Sequence, residues 1–331
     1  MTATKPSLFK NTETTPLLQA GNQHDPVDCE ACTDRPNHTT TLTPKSKQHY
    51  FNQTERVTYT IDETAASHKL HAEEKSVSYD TAAHRMINAT ETGESTLAVC
   101  NTIASSATLT DAIQNATSTT HLGATVKQYL DENNITAGDS DTEPGGIARA
   151  VLRSNGFTID TDTGEITGVP ETDTLFMVTF NSRFRPFDRR ILLELLSVLS
   201  TARVKFVCVA TQAIEAGVDV SFKNVFRDIA PVDSIVQAAG RCNRGYEWGV
   251  NGGKVVVWTL ATPDNNAEQL PAAAVYGGGE NAGSIHGHLR VISDVLAEHG
   301  TINQETSDVN IALHAVTAYF DAVHNKSFSD N

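Results

Sequence analysis

Short apolar runs at 96–100, 175–180, 205–209, 225–229 and 254–260 stand out from the more polar chain around them. Runs of this length, bounded by polar or turn-forming residues, predict buried strands. Between them the apolar positions change to a helical period. Ile191, Leu192, Leu195, Leu196 and Leu199 recur at three- and four-residue intervals and predict a helix over 189–199. Similar patterns predict helices over 105–113 and 123–134, and one beginning over 234–239. Strands alternating with helices predict an α/β fold built on a doubly wound parallel sheet. In such sheets ligands gather at the carboxyl ends of the strands. Segments 157–160 and 165–169 flank Thr163 and Gly164 and predict a hairpin inserted beside the main sheet.

The flanks differ. Residues 11–56 are rich in Thr, Asn, Gln, Pro and His and have too few apolar groups to offset ordering entropy, which predicts a poorly ordered segment. A short alternating strand over 57–61 and a helical stretch over 82–87 follow, and the ordered architecture is expected to begin at Ser95. Past Ala261 two amphipathic helices, 285–299 and 309–326, predict a small helical C-terminal extension. The expected organisation is a polar linker over 1–90, the α/β lobe over 91–262 and the helical extension over 263–331.

Composition adds habitat rather than chemistry. Forty acidic against 25 basic residues give a formal net charge of -15. That balance argues against a protein that coats nucleic acid through general positive charge. Acidic excess with abundant Thr points to a halophile's cytoplasm, where carboxylates hydrate the surface and salt shortens their repulsion of DNA. Membrane spans need about 18 successive apolar residues, and none occur, nor does the N-terminus carry an apolar signal core. A cytoplasmic location without a membrane partner is expected. Cys29, Cys32 and His38 form a partial metal-ligand pattern, but Cys100, Cys208 and Cys242 supply no second pair, so no metal site is expected.

Two segments carry chemistry. The first, Gln237-Ala238-Ala239-Gly240-Arg241-Cys242-Asn243-Arg244, is expected on a helix, with its two arginines three apart on one face. Guanidinium groups suit phosphate oxygens and the charge on a transferring phosphoryl group. The second follows the 205–209 strand and runs from Thr211 through Glu215 and Gly217 to Asp219. Thr211 at a strand end can bond a phosphate. Gly217 and Asp219 are expected to form a tight turn whose carboxylate serves a ribose hydroxyl or a partner arginine.

These segments resemble motifs V and VI of superfamily 2 helicases, in wording closest to the CRISPR-associated helicase-nuclease of type I systems. Val99-Cys100-Asn101-Thr102-Ile103 resembles that family's motif IV strand. Asn181-Ser182-Arg183-Phe184 resembles its His-Ser-Arg-Phe element, with Asn181 in place of His. The resemblance covers the span from Ser95 to Leu260 and implies a second RecA-like lobe. It implies that Arg244 is the arginine finger and Arg241 a second phosphate contact. Gln237, Gly240, Gly217 and Asp219 would then surround ATP. Thr211, Ser182, Arg183, Asn101 and Thr102 would touch the backbone of single-stranded DNA, a contact blind to sequence. The cofactor implied is ATP with Mg2+, shared with a first RecA-like lobe. The implied partners are single-stranded DNA, that first lobe, a nuclease domain and an RNA-guided surveillance complex.

A first lobe brings a G-x-x-x-x-G-K-[ST] loop and a magnesium-binding box, and neither occurs here. Met1-Thr2-Ala3-Thr4 resembles motif III, which closes that lobe, so the chain is expected to be a C-terminal fragment, part of a split gene or a truncated reading frame, inactive by itself. His24-Asp25 is the one dipeptide of the kind nuclease domains use for metal, and it has no partner cluster. Two other readings stay open: a non-catalytic nucleic-acid-binding or regulatory module, and the second lobe of another superfamily 2 helicase.

Overall fold

A computed structural model describes residues 55–66, 76–136, 143–215, 219–263, 270–276 and 285–329. Cys29, Cys32, His38, the His24-Asp25 dipeptide, the Met1–Thr4 motif, nearly all of the 11–56 segment and Gly217 lie outside them.

The sheet follows from the apolar runs. Strands β1 (Val57–Ile61), β2 (Thr96–Cys100), β3 (Thr119–His121), β6 (Leu175–Phe180), β7 (Phe206–Thr211), β8 (Asn224–Asp228), β9 (Gly253–Trp258) and β10 (Glu305–Ser307) form one sheet in the order β10-β1-β9-β8-β2-β7-β6-β3. Every pairing is parallel except β10 on β1. The predicted hairpin is present as β4 (Thr158–Ile159) and β5 (Ile166–Gly168), a two-stranded antiparallel sheet beside the main one.

Residues on β2, β7 and β8 are buried on both sides, because helices cover both faces of a parallel sheet. On one face α1 (Tyr79–Gly93) and α2 (Ile103–Ala116) set Ala82, Ala83, Met86, Leu109 and Ile113 against Ala98, Val207, Val209, Phe226 and Trp258. Helix α1 starts where the Ser78 hydroxyl accepts from Thr81 N–H, and α2 where the Thr102 hydroxyl accepts from Ser105 N–H at 3.0 Å. The other face carries α3 (Leu122–Glu132), α4 (Pro144–Ser154), α5 (Pro186–Thr201), α6 (Val232–Ala239) and α8 (Ile285–His299). The five apolar residues expected on one face of α5 are all buried there. Short α7 (Pro271–Tyr276), a π-helical stretch (Asn310–Ala315) and α9 (Val316–Ser329) complete that layer. None of the described helices is long and apolar enough to cross a membrane.

The flanks join the lobe more closely than their composition indicates. Strand β1 pairs with β9 from Val57–Gly253 to Ile61–Val257, and α1 lines the core, although both were expected in a linker. Strand β10 then covers the free edge of β1, and Leu289, Ile292 and Leu296 of α8 share the main core. The physical cause is pairing over nearly 200 residues of chain, which no local pattern reports.

Candidate functional site

The carboxyl ends of β6, β7, β2 and β8 lie side by side, with Phe180 level with Ala210, Cys100 with Thr211, and Val99 with Arg227. Neighbouring strands stand about 4.8 Å apart, so the residues just past these ends form one row. Ser182 and Arg183 follow β6 and are exposed, and the Asn181 side chain accepts from Arg183 N–H at 3.0 Å to fold the turn between them. Thr211 ends β7 and is largely buried. Thr102 is half-buried and committed to capping α2.

Asn101 departs from the expectation of a DNA contact. Its side chain turns inward, donating to the Asp228 carboxylate and the Ile229 carbonyl, each at 2.8 Å, while its own carbonyl accepts from Arg227 at 2.7 Å. A side chain so fully used inside the protein has no polar atom to offer a backbone phosphate.

The arginine pair also departs from the sequence picture. Helix α6 ends at Ala239, Gly240 caps it, and Asn243 takes a positive φ of 46°. The segment after Gly240 runs beside residues 221–222, where Phe222 N–H bonds the Arg241 carbonyl at 2.8 Å and Asn243 N–H bonds the Phe222 carbonyl at 2.9 Å. Arg241 and Arg244 therefore do not share a helical face. Arg241 turns in, 8% exposed, and its Nη2 donates to the Glu215 carbonyl at 2.6 Å. Arg244 turns out, with 44% of its side chain exposed, its N–H on Ser221 Oγ at 2.9 Å and its Nε 2.7 Å from Asp219. The two partners, Glu215 and Asp219, lie four residues apart on the connection from β7 to β8. Gln237 is exposed near the end of α6, and Gly240 approaches the Gln237 and Val236 carbonyls.

Beneath the row lies a buried ionic cluster centred on Arg227, a residue that the motifs did not single out. Arg227 is fully enclosed, with Nε 3.2 Å from the Glu215 carboxylate. Its other nitrogens donate to Asn101 at 2.7 Å, the Asp228 carbonyl at 2.8 Å and the Tyr276 hydroxyl at 3.3 Å. Burial pushes Glu215 up from the ordinary carboxylate range, against the pull of Arg227. Burial likewise pushes Asp228 up to about 6, against hydrogen bonds from Leu260 N–H and others. Arg241 is lowered by burial and by neighbouring Arg244, but a guanidinium stays charged regardless. The available signal was a charged pair, Arg227-Asp228, at the end of a central strand, where burial of charge is rare without a partner. Among the described residues no group of three or more His, Cys, Asp or Glu is placed to hold a metal ion.

Fold and site together define the class: a doubly wound, mostly parallel α/β lobe with two arginines and their partners, Glu215 and Asp219, at the carboxyl edge of the sheet. A profile for the C-terminal region of the CRISPR-associated nuclease/helicase Cas3 matches residues 168–247. The CRISPR-associated nuclease/helicase Cas3 of Haloferax volcanii is 48% identical over 337 residues, which cover 99% of this chain and 35% of that protein. The chain thus spans about a third of the length of the curated relative it matches. Solved structures that resemble it include T. fusca Cas3, with a TM-score of 0.42, 16% identity, and coverage of 83% of this chain and 26% of that one. T. fusca Cas3 with AMPPNP gives a TM-score of 0.41 at 15% identity, with the same coverage. The chain is similar to the Cas3 nuclease/helicase family, and its residues 168–247 match the profile of that family's C-terminal region.

Proposed function

We propose that this chain serves as the second motor lobe of an ATP-dependent single-stranded DNA helicase or translocase, acting in CRISPR antiviral defence with the family's nuclease. One observation carries the reading: the connection from β7 to β8 is held at Glu215 by Arg241 and at Asp219 by Arg244, one arginine buried and one half-exposed. Such a pair fits the phosphate end of a nucleotide. Arg241 braces Glu215 beside the phosphates. Arg244 serves as the finger: its contact with Asp219 runs through Nε, which leaves its terminal nitrogens for an incoming phosphate. Surface ion pairs of this kind are weak and are readily exchanged. Gln237, Gly240, Gly217 and Asp219 surround the nucleotide. Thr211, Ser182, Arg183 and Thr102 follow the DNA backbone along the strand ends.

When bound, ATP with Mg2+ supplies the phosphoryl group whose transfer to water drives movement. The phosphate-binding loop and the magnesium ligands come from a first RecA-like lobe, so the chain alone is expected not to turn ATP over. The remaining partners are the nuclease domain and an RNA-guided surveillance complex, in the cytoplasm.

The test is DNA-stimulated ATP hydrolysis at high salt, by the chain alone and mixed with a separately made first lobe. Mixing should create activity, and Arg244→Ala should lower it by about three orders of magnitude or more, the usual contribution of an arginine finger. Silence in both arms from a folded protein refutes the motor reading in favour of a non-catalytic docking module. Full activity in Arg244→Ala removes the finger assignment.

A further inference from the structure

We propose that the buried Arg227–Glu215 pair, latched by Tyr276, is the positioning device that holds Arg241 and Arg244 in place; its catalytic meaning rests on the motor reading above. Arg227 is the starting point because its burial is hard to explain by stability. Alternation along β8 points Val225 into the main core and Phe226 to the opposite face, so the next inward position would ordinarily be apolar. A fully buried ion pair contributes no more than an apolar residue of similar size, because desolvation offsets the attraction. A guanidinium there is better explained by what it connects.

It connects four elements. Asn101 follows β2, Asp228 ends β8, Tyr276 ends α7, and Glu215 follows the single turn of 3-10 helix over Gln212–Ile214 after β7. Glu215 uses both its sides. Its carboxylate faces Arg227 at 3.2 Å, and its backbone carbonyl accepts from Arg241 at 2.6 Å. Glu215 is thus held through its side chain and its backbone at once, which couples the position of Arg241 to Arg227 through a single residue. The same turn is fixed at its other end, where Gln212 Nε2 donates to the Tyr276 hydroxyl at 2.5 Å. Tyr276 thus accepts from both Gln212 and Arg227, and ties a helix beyond the arginine segment to the turn that segment grips. Arg244 follows Arg241 by three residues and is tied to the same β7–β8 connection through Ser221 and Asp219. Arg227, Glu215 and Tyr276 are positioning residues.

Two variants of the full chain test this, Arg227→Met and the milder Tyr276→Phe, with two readouts. Amide hydrogen exchange needs neither nucleotide nor partner. Arg227→Met should speed exchange at 211–215 and 241–244 at least tenfold, and Tyr276→Phe severalfold, with α5 and β6 unchanged as internal controls. In DNA-stimulated ATP hydrolysis with a first lobe, both variants should lower kcat with KM for ATP held within twofold. Neither should lower it further in an Arg244→Ala background, whereas a merely structural loss would. Unchanged exchange in both segments, in a folded Tyr276→Phe and a folded Arg227→Met, overturns the proposal. If Arg227→Met does not fold, Tyr276→Phe alone decides it. Altered exchange with a silent wild-type ATPase supports the positioning device and refutes only the motor reading.

Discussion

Replacing Asp228 with Asn should change how stability depends on pH, in a direction opposite to ordinary acid denaturation. The Asp228 carboxyl is fully buried at the end of β8, accepting from Leu260 N–H at 3.0 Å and from the Asn101 amide at 2.8 Å. Burial dominates those bonds and pushes it up to about 6, against about 3.9 in an unfolded chain. Between about pH 4 and 6 the folded protein therefore holds a proton that the unfolded chain has released. Stability from this group is highest below the unfolded value, falls through that window, and is level above it. Two pH units at 1.36 kcal/mol each make the fall roughly 3 kcal/mol. Asn does not titrate, and it costs about 1 kcal/mol at every pH, because its NH2 must face one of the two donors. The wild type should thus exceed Asp228→Asn most near pH 4, with the difference shrinking by roughly 3 kcal/mol, and changing sign, by pH 7. Urea unfolding of both proteins at fixed salt from pH 4 to 7 measures it. A difference that is flat with pH, or grows as pH rises, refutes the argument.

Two further substitutions probe the frame of the arginine segment. Gly253 opens β9 where an added methyl would stand 2.7 Å from Cys242 Sγ, 2.8 Å from Asn243 Cβ and 2.9 Å from Val57 Cγ1. Gly253→Ala should therefore destabilise by about 1–3 kcal/mol in urea unfolding, as overpacking does, and wild-type stability would show that the segment yields freely. Asp219→Ala removes the exposed partner of Arg244 and should leave the unfolding curve at that of the wild type, since exposed pairs contribute little. A clear loss of stability there would mean that Asp219 anchors the connection from β7 to β8 rather than lending Arg244 a replaceable contact.

The main sheet was legible because its central strands announce themselves. The run 175–180 coincides with β6, and the runs at 96–100, 205–209, 225–229 and 254–260 fall on β2, β7, β8 and β9 to within two residues. Edge strands carry no such signal. Thr119–His121 and Glu305–Ser307 are three polar-leaning residues each, stabilised by a neighbour rather than by their own pattern. Strand β1 was visible as an alternating segment, but its place beside β9 is a long-range pairing that local periodicity does not encode. In the candidate site, residue types singled out segments that the fold brings together at the edge of the sheet, and their burial stayed hidden. Asn101 reads as one more polar residue after a strand, and only the folded chain shows its amide spent on Asp228 and Ile229.

The same limit explains the arginines. Spacing of three residues on a helix predicts one face and one role, and Gly240 with Asn243 breaks that rule. Helices commonly end at Gly or Asn in a turn conformation, and here the left-handed Asn243 carries the chain away from the helix axis between the two side chains. Arg241 is thereby committed to a backbone carbonyl in a nearly closed site, while Arg244 is held by one weak, exposed contact. A phosphate arriving at the edge of the sheet would have to displace the first at the cost of a charge-assisted hydrogen bond, which contributes about 1.5–3 kcal/mol. It could recruit the second for almost nothing. On the proposed motor reading the changing contact therefore falls to Arg244 and the fixed one to Arg241, a division that identical side chains at helical spacing conceal.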